Sequence, residues 1–423
     1  MILRRVRYSL ATTIVAGSYL LSGVAAAQEA TDGEGGGTRK TIDWLDLQVG
    51  LGFSSNPYSR TESQSSIFGR ISASGMHSWN SERGTTAIHG YAENTSYFAG
   101  GYGSRQNFLV GADTNQQVSQ VLTIYGHGSF WGDYAGQLSN RLITVPSEPV
   151  PVDPANPLPP PSDNPDLLGL SGRQYSANGN IGASIRTSAR GTVSLSAGVQ
   201  GAWFPGSNSQ NNYTSYFGSG GYSAELSERT SLGATIYLRR QDFKGNDWAN
   251  SVNPSLTAST HFSESWSVTG AAGVIAITEH TDGHKNSSLS PSFSVSVCNN
   301  GSLSRFCAHA SRDTQTSLSS GLVDGQRVAA ISTQASIDYF RRLGPQGTIQ
   351  ASMSAISYHT PTSLGKPLDS SYLSGVVGYD RHIGNRLSAG VQTGVRKLFE
   401  TGPDPKIDYN ANVYVRYRLG DLL

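Results

Sequence analysis

The stretch DYNANVYVRYRL, Asp408 to Leu419, separates into two faces when every second residue is taken. Tyr409, Ala411, Val413, Val415, Tyr417 and Leu419 are apolar or aromatic, whereas Asp408, Asn410, Asn412, Arg416 and Arg418 are polar or charged, with Tyr414 alone interrupting the polar set. A period of two puts successive side chains on opposite sides of a β-strand, so the segment predicts a strand with one apolar face. In a soluble sandwich that face would meet a core. The composition argues otherwise: hydrophobic residues make up 37% of 423 and mean hydropathy is −0.32. Ser, Thr, Asn and Gln also outnumber Leu, Ile and Val, which is thin material for a buried core. A closed antiparallel β-barrel in a bilayer reconciles these facts, because lipid covers the outward residues and water the inward ones.

The N-terminus predicts export. Arg4, Arg5 and Arg7 precede an apolar stretch from Leu10 to Val24, and Ala25, Ala26 and Ala27 supply an Ala-x-Ala cleavage site before Gln28. The apolar stretch is shorter than the roughly 20 residues of a spanning helix, so residues 1 to 27 read as a cleaved signal peptide. Residues 28 to 41, acidic and Gly-rich, read as a flexible periplasmic lead-in. Beyond Ala27 no apolar run is long enough for a transmembrane helix, which leaves a soluble exported protein or an outer-membrane barrel. A net charge of +1 offers no basic surface for nucleic acid. The partners implied are outer-membrane lipids and the machinery that assembles such barrels; the oligomeric state is left open.

Alternation recurs from Ile42 to the end. It appears at Leu45 to Phe53, in TVSLSAGVQGAWF (192 to 204), in TSLGATIYLRR (230 to 240) and in LSAGVQTGVRK (387 to 397). Tight turns such as NSERG (80 to 84), SER (227 to 229) and GNR (384 to 386) alternate with longer connections such as FPGSNSQNN (204 to 212), KGNDWAN (244 to 250), TDGHKN (281 to 286), HTPTSLGKPLDS (359 to 370) and ETGPDPK (400 to 406). Short on one side and long on the other is the pattern of an outer-membrane barrel. Residues 42 to 423 therefore predict a closed transmembrane barrel of about 18 strands, with 16 as the alternative because the segments around Tyr91 and Ala308 are weak. The last strand pairs with the first. One long connection, Leu142 to Gly169, is Pro-dense enough to favour extended polyproline II, either projecting outward or folding inward as a constriction.

The phase opposite the apolar one collects the candidate lumen-lining residues. The charged members are Asp46, Arg70, Glu93, Asp113, Arg186, Arg239, Asp338, Arg342, Asp380, Arg396, Asp408, Arg416 and Arg418; the aromatic members are Tyr125, Trp131, Tyr237 and Tyr358. Acids and bases are balanced, which predicts a wet interior without strong charge selectivity and favours a neutral, hydroxyl-rich solute. The aromatic rings suit stacking on sugars or filling of the barrel. Cys298 and Cys307 flank a short turn in an exported chain and predict a disulfide. His280, Asp282 and His284 have a weak metal-like spacing in what reads as a solvated loop. No G-x-S-x-G, HExxH or compact acid pair is present, so neither an enzyme, a catalytic residue, a cofactor nor a metal is predicted.

The period-two strands and the opening GLGFSSNPYSR resemble outer-membrane porin-like barrels, in particular those associated with exopolysaccharide export. Many of these begin with an aromatic-x-x-Asn-x-aromatic-Arg stretch; Phe53, Asn56 and Tyr58 match, while Ser54 replaces the usual acid and Ser59 is inserted before Arg60. The resemblance implies a channel for a polysaccharide or other polar solute, with polysaccharide-export components as partners. A general small-solute porin, a non-conducting structural or adhesive barrel and an outer-membrane enzyme are the alternatives.

Overall fold

A computed structural model describes residues 42–57, 64–100, 102–133, 173–206, 212–281, 283–316, 329–359, 369–399 and 407–420. The signal peptide, the lead-in, the proline-dense connection, Tyr58, Arg60 and Asp282 lie outside them.

The described residues form 18 antiparallel strands in one sheet. In chain order these are β1 (Ile42–Ser54), β2 (Ser66–Ser81), β3 (Gly84–Tyr97), β4 (Ser104–Gln117), β5 (Leu122–Asp133), β6 (Gln174–Arg186), β7 (Gly191–Trp203), β8 (Tyr213–Ser227) and β9 (Thr230–Phe243). They continue with β10 (Trp248–His261), β11 (Trp266–Thr281), β12 (His284–Asn300), β13 (Ser304–Thr316), β14 (Ala329–Leu343), β15 (Gly347–His359), β16 (Asp369–His382), β17 (Leu387–Phe399) and β18 (Asp408–Gly420). Each pairs with its sequence neighbours, and β18 returns to pair with β1 from Trp44↔Gly420 to Ser54↔Asn410. The sheet therefore closes with no free lateral edge strand, the solution a spanning sheet requires. The segments around Tyr91 and Ala308 are full strands, so the count is 18 and not 16.

Residues directly opposite in antiparallel strands point to the same face. Followed around the barrel, one phase carries the large apolar side chains: Val49, Leu51, Leu195, Leu256, Leu289, Val377 and Val413 are all exposed on it. Aromatic residues of the same phase gather near the strand ends. Trp203, Tyr216 and Tyr409 lie toward the long connections, and Trp79, Tyr222, Trp266 and Tyr417 toward the short turns. Two aromatic belts around an apolar band are the outer surface of a membrane barrel.

Two connections are shorter than the sequence suggests. Trp248, Ala249 and Asn250 of KGNDWAN already belong to β10, which leaves a turn of residues 244 to 247. TDGHKN is not a long loop: β11 runs to Thr281, β12 starts at His284, and Thr281 pairs with His284. Gly283 has φ of 80°, a left-handed conformation that glycine adopts freely.

The wall is not uniform. β12 pairs with β11 along its whole length, but with β13 only from Phe293↔Arg312 to Asn300↔Arg305. From His284 to Ser292 no described strand pairs with its β13 side. Pro291 explains where the ladder stops, because it has no N–H to donate, and its pairing with Val274 of β11 is intact. Within the ladder that remains, Cys298 lies opposite Cys307 and the two are joined by a disulfide.

Candidate functional site

The inner wall divides into two sectors. From β16 through the β18–β1 seam to β5 it carries charge, and almost every charge is matched. At the seam Arg418 donates from Nε and Nη2 to the two carboxylate oxygens of Asp46, each at 2.7 Å. Higher up, Asp408 accepts from Arg396, from Ser54 Oγ at 2.7 Å and from the Asn56 backbone N–H at 2.8 Å. Asp380 accepts from Arg416 at 3.1 Å and from the Tyr414 hydroxyl at 3.1 Å. Arg70 faces Glu93 at 3.5 Å, and Glu93 is further bonded by Tyr91 and by Thr95 Oγ1 at 3.1 Å. Asp113 lies between His127, at 2.6 Å, and His89, at 3.2 Å.

Tyr414 sits on the charged face because its ring crosses Gly390, where no side chain blocks it, to reach Asp380. A tyrosine on the polar phase is thus a hydrogen-bonding member of that phase and no break in the pattern. Arg105 is a further charge that alternation alone did not single out. It opens β4 right after a connection, and its Nη2 donates to Asp133 at 2.7 Å with both groups buried.

From β7 to β12 the inner wall is chiefly hydroxyl. Ser196 and Ser219 share a hydrogen bond at 2.7 Å and Thr235 and Ser255 one at 2.8 Å, while Ser288, Ser290, Ser292, Ser294 and Ser296 follow one another on the inner phase of β12. Tyr237 accepts from Arg239 Nη2 at 2.8 Å and lies nearly parallel to Phe217. Tyr125 and Trp131 share the inner phase of β5 with His127. The remaining candidates stay apart from these groups. Arg186 and Arg342 are exposed at the short-turn ends of β6 and β14, Asp338 is exposed opposite Cys307, and Tyr358 stands in register with Ser332 and Ser370.

One group of residues unites strands that are not neighbours. Arg239 of β9 donates from Nη1 to the backbone carbonyl of Thr314 on β13 at 3.1 Å. Asn253 of β10 donates to Asp313 at 3.4 Å and accepts from Ser292 of β12 at 2.8 Å, and Ser251 Oγ is 3.5 Å from Thr314 Oγ1. Thr314 pairs with Ile331 of β14, and both belong to the phase that elsewhere faces outward. Here Ile331 is 1% exposed and packs in one cluster with Ile275, Ile277, Phe243, Tyr213 and Phe204, the first four on the inner face of β8–β11. These contacts place Asp313, Thr314 and Ile331 on the inner side of the barrel. Beyond Arg312 the described end of β13 leaves its pairing with β12, and Thr314 and Ile331 rest their outward phase on the inward phase of β9–β11.

Neither Asp313 nor Ile331 is separable from ordinary strand residues by alternation. The available signal was Pro291, a proline inside a strand, which marks the point where pairing fails. Among the described residues no group of three or more His, Cys, Asp or Glu could hold a metal ion. His280 instead stacks on Trp248.

No protein-family model and no curated protein matches the chain. Among solved structures it is similar to the OccK2 (OpdF) protein of Pseudomonas aeruginosa, at 12% identity over 92% of this chain and 100% of that one, with a TM-score of 0.46. It is also similar to the FrpB iron transporter of Neisseria meningitidis (F3-3 variant), at 10% identity over 90% and 82%, TM-score 0.44. A third is the Pseudomonas aeruginosa OpdK protein with vanillate, at 12% identity over 89% and 98%, TM-score 0.42. The resemblance to polysaccharide-export barrels gains no support from these comparisons. The fold rests on the strand register itself: the chain is an all-β, closed antiparallel barrel of 18 strands.

Proposed function

We propose that the protein is an outer-membrane channel through which polar solutes of little or no net charge pass. The observation that carries this reading is the inner wall: from β16 through the seam to β5 its acids and bases neutralise one another in pairs, and the arc between β7 and β12 presents hydroxyl groups. Paired charges bind water and hydroxylated solutes by hydrogen bonds, yet leave no net field to attract one sign of ion. The apolar outer band with its two aromatic belts supports a membrane location, and the short turns correspond to the periplasmic side. Export would then use the N-terminal signal, cleaved after Ala27, and insertion the general barrel-assembly machinery.

A sugar is the solute class that best fits hydroxyls and inward aromatic rings together. A polysaccharide is the extended form of that reading, and the stretch GLGFSSNPYSR is the observation favouring it. Planar-bilayer recording of the purified protein tests the channel. Stepwise current with a reversal potential near zero in a KCl gradient is expected; lack of current, or strong selectivity for one ion sign, overturns the reading. Swelling of proteoliposomes in monosaccharides and in oligosaccharides of increasing length then separates a small-solute pore from a polysaccharide path.

A further inference from the structure

The middle of the hydroxyl arc holds a patch of a different make. On β8, β9 and β10 two rows of inward residues lie side by side, Phe217, Arg239 and Ser251 in one and Ser219, Tyr237 and Asn253 in the other. The ring of Phe217 crosses Gly198 of β7, where any side chain would collide with it, and so lies against the wall. Tyr237 shares its orientation, with planes 25° apart and centroids 6.1 Å apart, and the two rings make an apolar floor. Around that floor stand three planar polar groups. Arg239 donates from Nε and Nη2 to the Tyr237 hydroxyl and from Nη1 to the Thr314 carbonyl. Asn253 is fixed at both ends of its amide, by Asp313 and by Ser292, and the Asp313 carboxylate accepts in turn from the Thr314 backbone N–H at 2.6 Å. Phe217, Tyr237, Arg239, Asn253 and Asp313 are all half-buried, so each keeps a surface toward the lumen.

A ligand with an apolar face and an edge of hydroxyls fits such a patch. The C–H face of a pyranose packs on an aromatic face, and its hydroxyls, each both donor and acceptor, match carboxylate, amide and guanidinium groups. Those groups are already held in place by one another, so binding a sugar orders little that is not ordered before. The charges of Arg239 and Asp313 cancel, which suits a neutral sugar better than an ion. We propose that these five residues form a saccharide-binding subsite on the channel wall, with Phe217 and Tyr237 beneath the sugar and Arg239, Asn253 and Asp313 at its edge. This deepens the channel reading and rests on it. The same hydrogen bonds also tie the end of β13 to β9 and β10, but Phe217 takes no part in them. A tie alone has no use for its ring.

The probe is maltohexaose, a neutral linear oligosaccharide, added to the full-length protein in planar bilayers, with a polyethylene glycol of similar size as the control for mere obstruction. Discrete closures are expected, with a time-averaged block that saturates as maltohexaose concentration rises. Phe217→Leu, which keeps an apolar side chain and removes the ring, should raise the half-blocking concentration by about fivefold to tenfold, and Phe217→Trp should hold it near that of wild type. Asn253→Ala should raise it by a similar factor, while polyethylene glycol should reduce the current equally in every variant. A block that grows without saturation, or equal half-blocking concentrations in wild type, Phe217→Leu and Asn253→Ala, overturns the subsite and leaves the channel standing. If wild type carries no current, the channel reading falls, and saturation-transfer NMR of maltohexaose with the detergent-solubilised protein decides the subsite. Transfer to the sugar's C–H protons that Phe217→Leu abolishes upholds it, and transfer that is absent or unchanged overturns it.

Discussion

Arg418 and Asp46 lie opposite each other on the last and first strands, and two parallel hydrogen bonds of 2.7 Å join them. The planar guanidinium fork matches the two carboxylate oxygens, a geometry that a lysine ammonium does not reproduce. Arg418→Lys therefore keeps the charge and loses one of two bonds, at a cost of about 1–2 kcal/mol to the seam. The expected readout is a lower midpoint for urea unfolding of the barrel in detergent, with Arg418→Ala lower still. Equal midpoints for Lys and wild type would show that charge alone holds the pair.

Asp408 makes the stronger case, because it is fully buried beneath Arg396, Ser54 and the Asn56 N–H. Asp408→Ala strands a buried guanidinium whose Nη1 already lacks a partner, and removing one member of a buried pair costs about 3–5 kcal/mol. Pairing Asp408→Leu with Arg396→Met removes both charges and recovers much of that loss. A single variant as stable as wild type would contradict the burial of this pair.

The two phases of β10 predict opposite outcomes for adjacent residues. Leu256 is 71% exposed on the apolar phase near mid-strand, and Thr257 faces inward. Leu256→Arg places a charge against lipid at a cost of about 2–4 kcal/mol, whereas Thr257→Arg meets water. Folding yield into lipid vesicles should fall for the first and hold for the second. The reverse result would invert the barrel's inside and outside.

Alternation made the strands and their two phases legible, since it is written into every pair of residues such as Leu256 and Thr257. It also placed the seam partners, because Asp46 and Arg418 occupy the polar phase of the first and last strands. Two kinds of feature escaped it. The segment from His284 to Asn286 looked like a loop because its residues are polar, yet polar residues are normal in a strand that rises beyond the apolar band. The inward tip escaped because phase says which side chains share a face and nothing about which backbone a strand abandons. Thr314 and Ile331 keep their alternation while the surface they face changes from lipid to lumen.

The Cys298–Cys307 bond closes a loop of sequence separation 9, for which chain entropy gives about 2.5 kcal/mol of stabilisation. Thiol labelling of unreduced, denatured protein should modify neither residue. The double variant Cys298→Ser with Cys307→Ser should unfold at lower urea by a shift of that size or less, and a shift of zero would mean that the paired strands already restrict the unfolded chain as much as the bond does.

The position of that bond has a mechanical meaning. The β12–β13 ladder is where pairing stops short among the described strands, and a split in a sheet lengthens by breaking one pair after another from its tip. Here the tip stands at Phe293↔Arg312, and the covalent link crosses the strands at Cys298↔Cys307, farther along the same line. A tear that starts at Phe293↔Arg312 is arrested there, whatever force drives it. Without the link nothing but hydrogen bonds separates the tear from the short-turn end, and a barrel torn through becomes an open sheet with two bare edges, the form most prone to aggregate. Oxidation of a single pair of sulfurs thus divides a wall that tolerates an opening from one that unrolls.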